Sequence, residues 1–249
     1  MKIILVGYGR MGHELAAALG RRGHELLASV DPASREATHR DLSSAPLAEA
    51  DGVIEFSLAE AVAANAAVYL EARLPAVVGT TGWEADLPRV VEMFENAEVG
   101  YMVGANFSIG ANLFMRLAEE AARLINGIDD YDPMLLEYHH AGKADSPSGT
   151  ALRTAEAVLA ALDRKSSIQT EALHRQITPE ELHVASVRGG AIPGTHTLTL
   201  DSAADTVEIT HRARGRAGFA DGAVRALEWL RGHKGYYTVD DFLTHLMNR

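Results

Sequence analysis

The densest chemistry in the chain lies in the run Glu137-Tyr138-His139-His140-Ala141-Gly142-Lys143-Ala144-Asp145-Ser146-Pro147-Ser148-Gly149-Thr150. Two adjacent imidazoles and an ammonium are concentrated there in a chain whose formal net charge is -11. Their local field favours an anionic ligand. Ser146 reads as an N-cap and Pro147 as the first position of a helix over 148–162. The backbone N–H groups of Gly149 and Thr150 at such a helix start can hold a carboxylate. Histidine and lysine with tuned pKa values are also the usual proton donors beside a carbon that receives hydride. Each part has an ordinary alternative: a histidine pair at a strand end, a solvated lysine, a capped helix. The coincidence of all three raises the segment above background. A metal reading needs a third ligand from His183, His196 or His211, whose spacing is not diagnostic, so no metal is expected. Arg188-Gly189-Gly190 either clamps a second carboxylate or is a β-turn carrying a solvated arginine.

A second constellation sits at the other end of the chain. Gly7-Tyr8-Gly9-Arg10-Met11-Gly12 fits G-x-G-x-x-G directly after a strand-like run and at the mouth of a helix. Gly7 permits the tight turn, Gly9 lets backbone approach a pyrophosphate, and Gly12 lets the helix pack closely on the strand. Asp31 follows about 20 residues on, where an acidic side chain suits an adenosine ribose hydroxyl. A carboxylate there repels a 2′-phosphate, and the only arginine close behind it is Arg35, so NADH is favoured over NADPH. The plain alternative for Asp31 is a turn residue before Pro32. Gly79-Thr80-Thr81-Gly82 and Gly104-Ala105-Asn106-Phe107-Ser108 are predicted to follow later strands, where open parallel sheets bind ligands. Glu55-Phe56-Ser57 is equally compatible with a site and a plain loop.

The elements that must position these residues are legible as alternation. Strands are predicted over 2–6, 25–30, 52–56, 75–78 and 99–103, with helices over 11–19, 58–72 and 83–96 between them. Strict strand–helix alternation means βαβ units and a parallel sheet. After about Asn106 the rhythm changes: helix 112–125, strand 134–138, helix 148–162, then strands 182–188, 195–200 and 206–211 with no helix between them. That succession predicts a mainly antiparallel second sheet, and the tail returns to helix over 218–231 and 239–247. The expected fold class is α/β: an N-terminal Rossmann-type parallel-sheet domain with a second, smaller α+β domain for substrate and oligomerisation. The expected division is 1–106 plus 216–249 for the dinucleotide and 107–215 for the substrate.

Composition excludes several classes. A chain of 249 residues, 47% hydrophobic and 23% charged, is globular and holds one large domain or two modest ones. Its acidic balance argues against nucleic acid as the principal partner. With no cysteine there is no disulfide framework, thiolate zinc site or cysteine nucleophile. No apolar run approaches the ~18–20 residues that span a bilayer. The stretch Ile3-Ile4-Leu5-Val6 is too short for a signal peptide, so a cytoplasmic protein without membrane partners is expected.

These motifs together resemble the dihydrodipicolinate reductase (4-hydroxy-tetrahydrodipicolinate reductase) family of bacterial lysine and diaminopimelate synthesis. The similarity covers nearly the whole chain, and the stretch from Glu137 to Ala151 is its most specific part; Phe219-Ala220-Asp221-Gly222-Ala223 also fits the pattern. The resemblance implies NAD(P)H-dependent reduction of 4-hydroxy-tetrahydrodipicolinate to tetrahydrodipicolinate with loss of water. It implies His139 as proton donor/acceptor, Lys143 as second proton donor, and His140, Gly149 and Thr150 as substrate contacts. Gly7, Tyr8, Gly9, Arg10, Met11, Gly12, Asp31, Gly79, Thr80, Thr81, Gly104, Ala105, Asn106 and Phe107 would hold the dinucleotide. It implies a homotetramer assembled through the substrate domains, with the C-terminal helices returning to the nucleotide domain. Family members use NADH or NADPH. Tyr138, and the absence of a further basic residue between the histidines and Lys143, depart slightly from the pattern. The alternatives are an amino-acid dehydrogenase sharing the nucleotide domain, an NADH-sensing binding module, and an inactive scaffold. The sensor lacks a basic recognition helix, and the intact His-His-Lys segment argues against a scaffold.

Overall fold

The computed structural model describes residues 1–247, which divide into two compact units: Met1–Ile109 with the stretch from Arg216 onward, and Gly110–Gly215. In the first unit, β1 (Lys2–Val6), β2 (Glu25–Val30), β3 (Gly52–Glu55), β4 (Ala76–Val78), β5 (Gly100–Val103) and β11 (Gly235–Thr238) form one sheet in the order β11-β5-β4-β3-β1-β2. Every pairing is parallel. The alternation of side chains along β1 explains why both faces must be covered. Ile3 and Leu5 point to a core built with α1 (Arg10–Arg21), α6 (Ala217–Leu230) and α7 (Val239–Met247). Ile4 and Val6 point to the opposite core, built with α2 (Ala59–Glu71) and α3 (Leu87–Phe94). A strand buried on both faces reads as a continuous apolar run, which is what residues 3–6 show.

The strand order reverses between β1 and β3, the switch point at which open parallel sheets bind ligands. The turns that follow β1, β3, β4 and β5 therefore leave the same edge of the sheet from neighbouring strands. β11 is an element the sequence pattern did not predict. Its run Gly235-Tyr236-Tyr237-Thr238 is short and glycine-led, and its identity as a strand depends on pairing with β5.

In the second unit, α4 (Ile109–Leu124) and α5 (Gly149–Ala160) cover one face of a five-stranded sheet. Its strands are β6 (Asp132–His139), β7 (Ser167–Gln169), β8 (Glu181–Arg188), β9 (Thr195–Asp201) and β10 (Thr206–Arg212), in the order β10-β9-β6-β8-β7. The sheet is mixed rather than mainly antiparallel. β6 inserts between β8 and β9, antiparallel to β9 and parallel to β8, while β7 is parallel to β8. The α5 crossover between β6 and β8 dictates the parallel pair, because a helix can return the chain in the same direction and a hairpin cannot. β7 was also missed; it is a three-residue edge strand. The helix predicted over 83–96 is confined to Leu87–Phe94. The helix predicted from Pro147 begins at Gly149, because Ser148, in extended geometry, supplies the cap by accepting from the Ala151 N–H.

One close approach tests the packing of the first unit. At Gly222 on α6, a Cβ would lie 1.8 Å from the Phe107 carbonyl oxygen. Backbone cannot yield as a flexible side chain does. Gly222→Ala is expected to cost at least the ~1–3 kcal/mol typical of overpacking, measured as a lowered urea midpoint.

Candidate active site

The glycine turn is built as its spacing requires. Gly7 adopts φ +89 and a Cβ there would lie 2.0 Å from the Phe56 carbonyl oxygen, so only glycine fits. At Gly12 a Cβ would lie 2.6 Å from the Gly7 carbonyl oxygen, which makes it the packing glycine between β1 and α1. Gly9 is different: nothing lies within 4 Å of its Cβ position, and the residue is exposed. It caps α1 in extended geometry without a side-chain hydrogen bond, and the first turn of α1 carries no acidic residue. An uncapped helix start beside open space is the arrangement that accepts a pyrophosphate. Of the neighbouring motif residues, Tyr8 lies tilted against His13 with ring centroids 4.6 Å apart, Arg10 is exposed, and Met11 packs against the core.

Asp31 does more than its position alone predicts. Its carboxylate accepts from the N–H of Tyr8 at 2.8 Å, and from those of Ala33 and Ser34 at 2.8 and 2.9 Å. It thus ties the glycine turn to the turn after β2. Partial burial pushes its pKa up, but these backbone donors and the nearby Arg40 guanidinium outweigh that and hold it below the usual value. Arg40 itself is tethered to the carbonyls of Pro32 and Ser34. An ionised carboxylate offers about four acceptor positions, so the backbone bonds leave capacity for a ribose hydroxyl.

The two later turns are ordered by their own contacts. At Gly79 a Cβ would lie 2.2 Å from the Phe56 ring. Thr80 is buried; its hydroxyl accepts from the Ser57 N–H and its carbonyl from Trp83 Nε1, while Thr81 is exposed. At Gly104 a Cβ would meet Val239 at 2.6 Å. Ala105 is exposed, Asn106 Oδ1 accepts from the Ser108 N–H, and Phe107 is a core side chain 1% exposed. What Phe107 can offer a dinucleotide is therefore its backbone. Glu55, ambiguous in the sequence, is fully buried at the end of β3 and accepts from Ser57, Asn65 and Tyr69. Burial raises its pKa against those donors.

The second unit carries the histidine–lysine segment, and its organising atom pair is the carboxylate of Glu137. Strand register places Ser186 of β8 on one side of Glu137 and His196 of β9 on the other. His196 is in turn opposite His211 of β10, so one row of polar side chains crosses four strands. Glu137 is fully buried. Its Oε1 accepts from the Ser148 N–H at 2.9 Å, Ser186 Oγ at 2.9 Å and Arg188 Nη2 at 2.7 Å. Its Oε2 accepts from Ser148 Oγ in a short bond and faces His139 Nδ1 at 3.3 Å and His196 Nε2 at 3.4 Å. Burial alone would raise its pKa, but these donors and Arg188 keep it ionised, well below the usual carboxylate range.

His139 lies 7% exposed at the end of β6, and burial lowers its pKa to about 4. His140 is half-buried, and its carbonyl accepts from the Lys143 N–H in the turn that follows. Lys143 Nζ pairs with Asp145 Oδ1 at 2.7 Å, a partner the sequence reading did not assign. The Gly149 N–H also bears on the Asp145 carboxylate, which with Lys143 holds that group below its usual value. Gly149 is exposed and Thr150 half-buried in the first turn of α5.

Arg188 corrects one expectation. It is neither a free clamp for a ligand carboxylate nor solvated, because Nη2 binds Glu137 and also the Asp145 carbonyl at 2.6 Å. The third metal-type ligand that the sequence could not identify is also present: one atom each of Glu137, His139 and His196 lie within 4.8 Å of one another. Arg188 supplies a counter-charge to the carboxylate of that cluster. The roles of Glu137, Ser148, Ser186 and His196 were missed. The period-two spacing of Glu137 and His139 places them on one face of a strand, but no local signal names the strands that lie beside it.

The chain matches the family model for the N-terminus of dihydrodipicolinate reductase over residues 1–107 and that for its C-terminus over residues 110–243. A 4-hydroxy-tetrahydrodipicolinate reductase of Christiangramia forsetii is 35% identical over 246 residues, covering 99% of each chain. One of Archaeoglobus fulgidus is 39% identical over 201 residues, covering 78% of this chain and 76% of that one. Among solved structures, a dipicolinate-bound dihydrodipicolinate reductase from Paenisporosarcina sp. superposes with a TM-score of 0.78 at 23% identity, covering 97% of this chain and 98% of that one. A probable dehydrogenase from Thermotoga maritima shares the fold with a TM-score of 0.58 at 12% identity, over 98% of this chain and 93% of that one.

Two predictions follow from the geometry. Gly9→Ala should leave thermal stability nearly unchanged, since the Cβ meets nothing, while raising the Kd for dinucleotide at least tenfold in a fluorescence titration. His139 and His211 are both held below their ordinary value, chiefly by burial. The unfolded chain therefore takes up protons first as pH falls, and stability drops from about pH 6.5 towards pH 4. Urea midpoints across that range should show the decline, and His211→Gln should make it shallower.

Proposed function

We propose a function on the premise that this chain belongs to the dihydrodipicolinate reductase family. It is an oxidoreductase that reduces 4-hydroxy-tetrahydrodipicolinate to tetrahydrodipicolinate with loss of water, a step of lysine and diaminopimelate synthesis. The first unit binds a nicotinamide dinucleotide, and the open space at Gly9 beside the uncapped start of α1 fits its pyrophosphate. NADH is the preferred form in this reading, because the ionised Asp31 disfavours a 2′-phosphate. Gly7 to Gly12, Asp31, Gly79 to Thr81 and Gly104 to Phe107 are the residues we assign to the cofactor.

The observation that carries the reading of the second unit is the buried His139 joined through one short connection to Lys143 and to the first turn of α5. When bound, the dinucleotide supplies hydride. The balance of the reaction then requires one proton, since the hydroxyl of the substrate leaves as water. His139 and Lys143 are the groups we assign to handle it, His139 as donor/acceptor and Lys143 as second donor. His139 is neutral in the free protein at pH 7, with its pKa near 4. A dianionic substrate raises that value by the ordinary attraction of opposite charges, so binding itself readies the imidazole to take up and return a proton. The substrate carboxylates are held by His140, Lys143 and the N–H groups of Gly149 and Thr150, at the positive end of α5. For this, Lys143 and the Gly149 N–H must exchange their interactions with Asp145 for ones with the ligand.

The outer face of the second sheet supports a homotetramer. Met134, Val187 and Val207 are 42%, 46% and 47% exposed on it or at its edge, and Leu136, Tyr138, Thr197 and Thr210 line an open groove. Among the described residues no helix is long and apolar enough to cross a membrane, and the cytoplasm is the compartment we assign.

An assay that generates the labile substrate in place with a dihydrodipicolinate synthase, and follows NADH against NADPH absorbance, tests the reading. Turnover is expected with both cofactors and a higher kcat/KM with NADH. His139→Ala and Lys143→Ala should each lower kcat by about 10²–10⁴-fold, with the NADH Kd within about twofold of wild type. Wild-type rates in both variants would remove these residues from the mechanism.

A further inference from the structure

We propose that Glu137 is a positioning residue for this reaction: its buried carboxylate sets the tautomer and orientation of His139 and, through Ser148, the first turn of α5. This rests on the function proposed above and adds a residue to it.

The geometry has three parts. Nδ1 of His139 is the sealed nitrogen of the ring; its nearest charged neighbour is Glu137 Oε2 at 3.3 Å, and it has no hydrogen-bond partner. That separation is slightly long for a direct bond, as is common before a ligand closes a site. The opposite nitrogen, Nε2, lies against residue 194, where a Cβ would come within 2.9 Å; glycine at that position gives the ring its room. An ionised carboxylate only accepts hydrogen bonds. A lone pair on Nδ1 would face that negative charge, whereas an Nδ1–H is attracted to it. The neutral ring therefore carries its proton on Nδ1 and presents the Nε2 lone pair for proton transfer, the same division of labour found in a Ser-His-Asp triad.

The second part concerns charge. The groups that face His139 are Glu137 on its own strand, Lys143 in the connection beyond it, Arg188 on β8 and His196 on β9. Lys143, Arg188 and His196 all oppose a positive imidazole, and Glu137 favours it. Once Nε2 accepts a proton, the carboxylate that oriented the ring also stabilises the imidazolium.

The third part is the link to α5. The Ser148 N–H and Oγ both donate to Glu137, while Ser148 Oγ accepts from the Ala151 N–H as the helix cap. The helix start assigned to substrate carboxylate and the imidazole assigned to the proton therefore hang on one carboxylate. Arg188, paired to the same group, keeps it ionised.

Two experiments on the intact chain test this. In the coupled assay, Glu137→Gln keeps the side-chain volume and removes the charge. Its kcat should fall about 10²–10⁴-fold, and KM for substrate should rise while the NADH Kd stays within about twofold. The basic limb of its pH–kcat profile, set by loss of the imidazolium that donates the proton, should move to lower pH, because the group that favours imidazolium has gone. A residue that only supported folding would lower activity without moving that limb. Since the variant leaves the Arg188 guanidinium without its counter-charge and its folding is at risk, the second experiment uses the wild-type chain. Nitrogen NMR of 15N-histidine-labelled protein with NADH bound, assigned with His139→Gln, should show the Nδ1–H tautomer at neutral pH. An Nε2–H tautomer overturns the proposal, as does a folded Glu137→Gln whose kcat and pH profile match wild type. Absence of wild-type turnover would instead sink the functional reading, and the tautomer measurement would still decide the Glu137–His139 contact.

Discussion

A carboxylate buried with no exposure is costly unless it is paired and its lone pairs are filled. Glu137 meets both conditions: Arg188 supplies the opposite charge, and the Ser148 N–H, Ser148 Oγ and Ser186 Oγ occupy further lone pairs. Those donors come from β8 and from the residue that caps α5, so satisfying one anion fixes how three elements meet. A network of this kind tolerates no half measures, because each unsatisfied member is expensive in a low-dielectric setting. The rigidity it imposes is what a site for proton transfer needs, where reacting atoms must be held at hydrogen-bond distance.

The first unit solves a different problem with different means. Its Gly7-to-Gly12 turn must let backbone come close to a ligand, and its glycines divide that work. Gly7 and Gly12 are glycines because other backbone occupies the Cβ position, and Gly9 because a ligand would need the space there. Asp31 couples the turn to the end of β2 through the Tyr8 N–H, so the residue suited to a ribose also holds the turn in shape. On the opposite side of β1, Glu55 orders Ser57, Asn65 and Tyr69 in a second buried network, this one without a counter-ion. The contrast is instructive: burial prevails at Glu55 and raises its pKa, while Arg188 and the histidine side lower that of Glu137.

Where the sequence misled, the cause was non-local. Strands β8, β9 and β10 follow one another without a helix, which suggests successive hairpins, yet β6 takes the place beside both β8 and β9. Arg188 next to two glycines resembles a mobile ligand clamp, yet its partner lies 51 residues earlier in the chain. The α5 boundary moved because Ser148, rather than Ser146, reaches the Ala151 N–H. A choice between two serines spaced two apart is made by which of them Glu137 can hold.

Sequence alone determined whatever depends on near neighbours. The glycine spacing, the apolar runs of β1 to β5, the helix periodicity and the clustering of His139, His140 and Lys143 in an acidic chain are all local facts, and they carry the parallel-sheet domain and the family likeness. Tertiary structure decided which side chains are neighbours across strands. Alternation along a strand tells which face a residue takes, but not whether Ser186 or His196 will lie across from Glu137. That pairing arises from strand order and register, set by packing over the whole unit, and through it a glutamate becomes the partner of a histidine.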